Sequence, residues 1–507
     1  MFKIIKSSFL RGIDGVLTDV EIDISKGIPS FNLVGLADTA IKESKERVKS
    51  AINNSGFNFP NKRIVINLSP ASIKKEGVYF DLAIALGISL YKNEINYDFS
   101  KSVFVGELSL NGEIKRVNGI ISIISNAKKQ NMKKVFIPYE NSLEASFIKG
   151  IDIYPIKNFK ELIDFIKEDK KINKLRTKVI KLEDSFDLDF KDIIGNEFAK
   201  RAFEIAACGG HNIFMIGPPG SGKTMLAKRI NTIIPNLNEE EILQITKIYS
   251  ASGYLKDDEG IIKQRPFRMP HYNSTITSLI GGGKEIKPGE IVLSHKGILF
   301  LDEILEFNKR VLDSLRNPIE DKYINISRVK EKITYPCDFL LIASANPCKC
   351  GNYMTNIDCI CTKSQIDKYL NKISGPMLDR FDMFIEINPI DFEKIEKSIG
   401  IRSSKEIKKN VIKGREYQKK RYKDNKLNTL MNQKDINLYC KLDKESLSFL
   451  KLIYDKYNLS TRTYFKILKT ARTIADLDEE KDIKLNHISE AFSYRKAYFK
   501  FWRNTIM

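Results

Sequence analysis

Short apolar runs recur along this chain, and the company they keep changes three times. Between residues 1 and 165, β-rich runs such as RIVINL, KSVFVGEL and KKVFIP mix with helical periodicity at Ala40 to Asn53 and Ile120 to Gln130. That mixture predicts an α+β or α/β domain. Residues 166–190 are densely charged and hold no glycine or proline, as in a linker helix or a tether. From Ile193 to about Pro389 strands and helices alternate: HNIFMIG before a helix from Lys223, GILFLDEI before a helix from Lys309, then FLLIASANP. This order predicts a parallel α/β sheet. Beyond about Phe392 the pattern turns helical and basic. The expected division is 1–165, a linker at 166–190, a core at 191–390 and a helical region at 391–507.

Bulk properties narrow the class. A chain of 507 residues exceeds one ordinary core, so two to four domains are expected. The best apolar run, Phe80 to Tyr91, is far too short for a bilayer and carries Asp81. The basic N-terminus lacks an apolar stretch long enough for a signal peptide, so a cytoplasmic location is expected. Seven cysteines in a reducing compartment suggest thiols or metal ligands. The net charge is +20, and residues 401–507 hold 26 Lys and Arg against 13 Asp and Glu. Such a surplus suits a polyanion, nucleic acid above all, or a solvated lysine-rich surface.

The chemistry concentrates in the core. The stretch GPPGSGKT follows a predicted strand and opens a helix, the context that a phosphate-binding loop needs. Gly217, Pro218, Pro219, Gly220, Ser221 and Gly222 would turn backbone N–H groups toward the phosphates of ATP. Lys223 would reach the β- and γ-phosphates, and the Thr224 hydroxyl would ligate Mg²⁺. In GILFLDEI a strand ends in Asp302, a candidate Mg²⁺ ligand, and Glu303, a candidate base for the attacking water. A third strand ends at Asn346, whose amide suits the lytic water. Then CKCGNYMTNIDCIC places Cys348, Cys350, Cys359 and Cys361 in two C-x-C pairs. Four thiolates on a glycine-containing loop favour structural Zn²⁺, ahead of plain reduced thiols and an iron–sulfur cluster. Cys208, Cys337 and Cys440 are expected to be buried or incidental.

These motifs, with SGPMLDRFD at 374–382 and STRTYFKILKTARTIADL at 460–477, resemble the AAA+ ATPases. AACGGHNIFMIGPPGSGKT and RPFRMPHYNSTITSLIGGG narrow the resemblance to the magnesium-chelatase-like branch, and within it to the ComM/YifB family. The resemblance implies that Arg380 is an arginine finger serving the neighbouring subunit, and that Arg462 is the sensor 2 arginine. A finger acting in trans requires a ring, and the family implies a homohexamer. It also places two basic segments, with Lys284 and Lys287 in the first and Arg328 and Lys330 in the second, as the helix-2 insert and the pre-sensor-1 hairpin. Their tips are candidates for gripping DNA in a pore.

Residues 1–165 resemble the proteolytic domain of Lon, most clearly in VFVGELSLNGEIKRVNGIISIISNAKKQNMKKVFIP. The Lon dyad is missing: Tyr79 falls at the serine position and Ile121 at the lysine position. A phenol without an adjacent base is not activated at neutral pH, which argues against peptidase activity. The expected function is an ATP-driven ring motor on branched or single-stranded DNA, with branch migration in recombination or natural transformation implied by the resemblance alone. A metal-chelatase-type motor remodelling a protein partner is the alternative, and an ATP-dependent protease is disfavoured by Tyr79 and Ile121. No membrane association is expected.

Overall fold

A computed structural model describes the chain apart from residues 37, 92–96, 181–186, 257, 284–285, 329–330, 356, 390–401 and 504–507. It resolves into two compact units.

The first unit is Met1–Leu182 with Asn238–Lys263 and Val329–Ile333. Its seven-stranded sheet uses β1 (Phe2–Arg11), β2 (Asp14–Ser25), β3 (Ser30–Val34), β4 (Arg63–Ser69), β5 (Ser102–Phe104), β6 (Lys134–Pro138) and β7 (Asp152–Ile156), in the order β3-β4-β2-β1-β5-β6-β7. Antiparallel pairing joins β1 to β2 and β2 to β4, and the remaining pairs are parallel. Alternation does the sorting: Ile22 and Ile66 face each other across β2 and β4 and are fully buried, while Glu21 and Asn67 beside them pair polar atoms at 2.9 Å. The helical stretches fall at α1 (Thr39–Asn54) and α3 (Ile120–Lys129). The apolar run from Phe80 is α2 (Asp81–Ser89), buried all round. Its Asp81 is buried but ion-paired with Arg47 at 2.7 Å. Tyr79 is half-buried, and burial pushes its phenol above the usual range. Ile121 is fully buried in α3.

Within the expected linker at 166–190, the described run 171–180 is not a helix. Helix α4 (Phe159–Ile166) ends before it, and residues 171–180 run without regular structure. Backbone N–H groups of Leu175 and Lys178 bond to the carbonyls of Ile153 and Ser146, both at 2.8 Å. One of these bonds goes to β7 and the other to the end of a short helix, Ser142–Ala145, so the unit holds the run by its backbone.

The second unit holds the parallel sheet: β8 (Ile213–Ile216), β9 (Phe267–Arg268), β10 (Ile298–Leu301), β11 (Leu340–Ala345) and β12 (Met383–Glu386), in the order β9-β10-β11-β8-β12. All four pairings are parallel. The inner strands are buried on both faces and read as continuous apolar runs, IFMI and ILFL. Helices α5 (Glu197–Gly209) and α6 (Lys223–Ile233) flank the sheet. Between α6 and β9, helix α7 (Glu239–Ala251) leaves this unit and packs on α3 in the first. The C-terminal part is helical, with α8 (Ser404–Tyr422), α9 (Lys444–Tyr457), α10 (Thr461–Leu477) and α11 (Leu485–Ser493). No helix among the described residues is long and apolar enough to cross a membrane.

Candidate nucleotide site

The phosphate-binding loop leaves the end of β8 and enters α6. Gly220 and Gly222 take φ of +74° and +87°, which side chains oppose. Gly217 is needed for space, since a Cβ there would lie 2.1 Å from the Ile387 carbonyl oxygen. Gly222 caps α6 with no side-chain acceptor, so the first N–H groups of an 11-residue helix are left for an anion. The Ser221 hydroxyl donates to the Pro218 carbonyl at 2.8 Å and ties the loop to itself.

Lys223 is buried, and its Nζ donates to the carbonyls of Gly217 and Pro218 at 2.7 Å and to Asn346 Oδ1 at 3.2 Å. Burial lowers its ammonium to about 8, although Asp302 and Glu303 pull the other way. Thr224 Oγ1 donates to Asp302 Oδ2 at 2.8 Å. A hydroxyl and a carboxylate so placed are hard oxygen donors, the set that Mg²⁺ takes alongside phosphate oxygens. Glu303, exposed beside them, adopts φ +52°, a left-handed backbone that costs a non-glycine residue about 1–2 kcal/mol. Its N–H bonds to Asp302 Oδ1 at 3.2 Å and to Ser344 Oγ at 3.3 Å. Two hydrogen-bonded pairs, Lys223 with Asn346 and Thr224 with Asp302, thus stand side by side through the neighbours Lys223 and Thr224, and Glu303 follows Asp302.

The arginines form a second group. Arg380 is buried, with Nε on the Arg316 carbonyl at 3.2 Å, Nη1 on the Pro376 carbonyl at 3.4 Å and an ion pair to Glu320 at 2.9 Å. Burial first, and then the charges of Arg462 and Arg316, hold its pKa below the usual guanidinium range, against the pull of Glu320. Arg462 is exposed in the first turn of α10. Thus Arg380 and Arg462 lie near each other, and the described partners of Arg380 do not include the phosphate-binding loop of its own chain.

Several residues that hold this geometry carried no signal in the sequence. Ser344 is fully buried on β11 and donates to Asp302 Oδ1. Asn212, ahead of β8, donates Nδ2 to the Arg380 carbonyl at 2.9 Å and accepts Leu341 N–H at 3.0 Å. Its own N–H meets Asp382 Oδ2 at 2.9 Å. Lys466 on α10 donates to the carbonyls of Asp379 and Phe381 at 2.6 and 2.8 Å, fixing the arginine loop to the helical region. Arg316 Nε is buried without a hydrogen-bond partner. The partners of Ser344, Asn212 and Lys466 lie 41 to 170 positions away in the sequence, out of reach of any local pattern.

The four thiols of Cys348, Cys350, Cys359 and Cys361 converge, all Sγ atoms lying within 4.8 Å of one another. The shortest separations are 3.3, 3.6 and 3.7 Å. A tetrahedral zinc with Zn–S of about 2.3 Å requires an S···S edge of about 3.8 Å. The donor set and spacing therefore fit Zn²⁺. Cys208, Cys337 and Cys440 are buried apart from this cluster.

Of the basic tips, Lys287 is exposed in a short strand, Lys287–Pro288, that pairs with Gly281–Gly282. Arg328 ends the strand Tyr323–Arg328, which pairs with Glu331–Pro336 as a hairpin. Lys284 and Lys330 lie outside the described residues.

A phosphate-binding loop beside Asp302 and Glu303, on a sheet of this strand order with a helical C-terminal region, defines an AAA+ nucleoside-triphosphatase core. Comparison with known proteins agrees in detail. A family model described as magnesium chelatase, subunit ChlI, matches residues 189–395, and the model for its C-terminal part matches 401–495. A third, described as subunit ChlI of Mg-chelatase, matches 20–141. YifB of Escherichia coli is 41% identical over 490 residues, covering 96% of this chain and 95% of its own. Competence protein ComM of Haemophilus influenzae is 40% identical over 500 residues, 97% of each. Lon protease 2 of Bacillus subtilis is 32% identical over 171 residues, 30% of each chain. The chain belongs to the ComM/YifB family of magnesium-chelatase-like AAA+ proteins, with a Lon-like region at its N-terminus.

Proposed function

We propose that this protein is an ATP-hydrolysing ring motor that acts on DNA in the cytoplasm, with branch migration of recombining or incoming DNA as its task. The observation that carries the ATPase is the pairing of Lys223 with Asn346 and of Thr224 with Asp302 at the phosphate-binding loop, with Glu303 next to Asp302. Lys223 and the α6 N-terminus bind phosphate, and Thr224 and Asp302 hold Mg²⁺. Bound Mg²⁺ neutralises charge on the phosphates. Glu303 accepts a proton at its carboxylate from water that Asn346 orients. Arg380 reaches the nucleotide of a neighbouring copy, which requires a ring, taken here as a homohexamer. DNA as the track is supported by the 40% identical relative named as a competence protein and by the basic surplus of residues 401–507.

The test is direct. DNA should raise the ATPase rate, and a branched substrate should dissociate only with ATP and Mg²⁺. Binding should weaken steeply with salt as counterions are released. Replacing Lys284 and Lys287 together by alanine, or Arg328 and Lys330 together, should reduce DNA stimulation while basal hydrolysis stays. A confirmed ring whose ATPase ignores DNA, and that binds none at low salt, overturns this reading. The second reading, a chelatase-type motor that remodels a protein partner, then takes its place, favoured by the match of three magnesium-chelatase models along the chain.

A further inference from the structure

The four-cysteine cluster is built into the nucleotide site at two points. The first is covalent. Cys348 stands two residues after Asn346, the residue that accepts the Lys223 ammonium at 3.2 Å, and it is fully buried. The second is steric. Gly351, directly after Cys350, sits at φ +85°, and a Cβ there would lie 2.4 Å from Pro219 Cδ. The thiol loop thus rests its bare backbone on the phosphate-binding loop. The contact tolerates glycine alone, both for its left-handed φ and for the missing side chain. Inside the cluster, the Tyr353 N–H points at Cys348 Sγ at 3.3 Å and the Gly351 N–H bonds to the Cys348 carbonyl at 3.1 Å. This turn brings Cys350 back beside Cys348.

Without a cross-link, this loop has little to hold it. Residues 349–361 are largely half-buried or exposed and contain no helix or strand among the described residues. Cys359 and Cys361 come from the far side of the loop, where weak bonds such as Asn352 Nδ2 to the Asp358 carbonyl at 3.5 Å join the two sides, and a shared ligand would close it firmly. The sulfur atoms already stand close to the edge length of a zinc tetrathiolate.

We propose that a Zn²⁺ ion, or another soft d¹⁰ cation of that class, bound by Cys348, Cys350, Cys359 and Cys361 is the strut that holds Pro219 and Asn346 in place, so that nucleotide affinity depends on metal occupancy. The metal clamps the thiol loop. The loop backs the phosphate-binding loop through Gly351 and fixes the end of β11 through Cys348. When the metal leaves, both supports relax together, and the Lys223 cradle loses its geometry while the buried sheet beneath it stays folded. This inference rests on the ATP-site reading above and adds to it a control of that site by zinc supply.

The experiment uses full-length protein purified without chelator. Elemental analysis should find about one zinc per chain, as expected for one tetrahedral site. Zinc is then withdrawn with a chelator, its release followed with a chromogenic zinc indicator, and the fold is checked by far-UV circular dichroism. Affinity for a fluorescent ATP analogue should fall by about tenfold or more, the scale of losing one hydrogen bond to a charged group, and return on adding one equivalent of zinc. The variant Gly351→Ala keeps all four thiols and provides a second arm if the stripped protein does not stay folded. It should retain zinc yet bind the analogue about tenfold more weakly. Protein with no zinc, or equal affinity in zinc-loaded and folded zinc-free protein, overturns the proposal. So does unchanged affinity in zinc-loaded Gly351→Ala. Zinc-loaded wild-type protein that fails to bind the analogue would instead overturn the ATP-site reading.

Discussion

Ser344→Ala removes the two hydrogen bonds that one hydroxyl makes behind Asp302, the proposed Mg²⁺ ligand. The substitution removes a single buried oxygen and opens almost no space. The lost hydroxyl donates to Asp302 Oδ1 and accepts the Glu303 N–H at 3.3 Å. Hydrogen bonds to a charged group contribute about 1.5–3 kcal/mol, and an N–H that loses one of its acceptors adds to the loss. The Glu303 N–H keeps Asp302 Oδ1 at 3.2 Å, so that second cost stays partial. A total of about 2 kcal/mol is expected, falling on the orientation of Asp302 toward Thr224 and on the left-handed turn at Glu303. Expressed in binding, that is about a 30-fold rise in the Mg²⁺ needed for half-maximal hydrolysis. The assay is ATPase rate against free Mg²⁺ at saturating ATP, with a thermal melt to show that the fold persists. Saturating Mg²⁺ should recover part of the rate. An unchanged Mg²⁺ requirement in folded Ser344→Ala would show that Asp302 is not the residue holding the cation.

Other perturbations test separate parts of the site. Glu303→Gln should bind ATP and turn it over very slowly, and near-normal turnover would remove its assignment as base. Lys223 starts at about 8 against an ordinary 10.5, so folding is penalised below about pH 8 and relieved as pH rises toward 10.5. ATP raises that pKa again, so binding above pH 8 should take up a proton and weaken by up to tenfold per pH unit, measurable by calorimetry in buffers of different ionisation enthalpy. Equal affinity at pH 7.5 and 9.5 would contradict this. Arg380→Ala subunits, inactive alone, should regain activity when mixed with Lys223→Ala subunits, and confirmed mixed rings without recovery would exclude action in trans. Ser250→Ala should destabilise the N-terminal unit by about 1–3 kcal/mol, seen in a denaturant melt, because Ser250 accepts the Gly119 N–H at 2.9 Å and donates to buried Glu144. For the same reason residues 1–180 expressed without 238–263 should fold poorly, and a stable fragment would refute that dependence.

How much of the site was legible depended on how local its cause is. The strand, glycines and helix start of GPPGSGKT lie within a dozen residues, so backbone conformation and charge are written side by side. The same holds for Asp302 and Glu303 at a strand end, and for four cysteines within fourteen positions. Helices α1 and α3 fell within a residue of their expected bounds, because their apolar periodicity is strong. The resemblance to Lon and to the magnesium-chelatase group rested on such local strings too.

What only the tertiary structure decided are the meetings of distant residues. Ser344 is one more serine in an apolar strand until β10 lies beside β11 and puts Asp302 against it. Asn212 looks like a turn residue until β8, β11 and the Arg380 loop converge on its amide. That α7 packs with the N-terminal unit cannot be read from its position between two core elements, since an amphipathic helix specifies that it must bury a face but not against which partner. Gly351 resting on Pro219 joins residues 132 positions apart by the absence of a side chain. Periodicity and capping encode where the chain bends. Which surfaces then meet is settled by the packing of the whole core, where the free energy is shared among many contacts and no short stretch carries it.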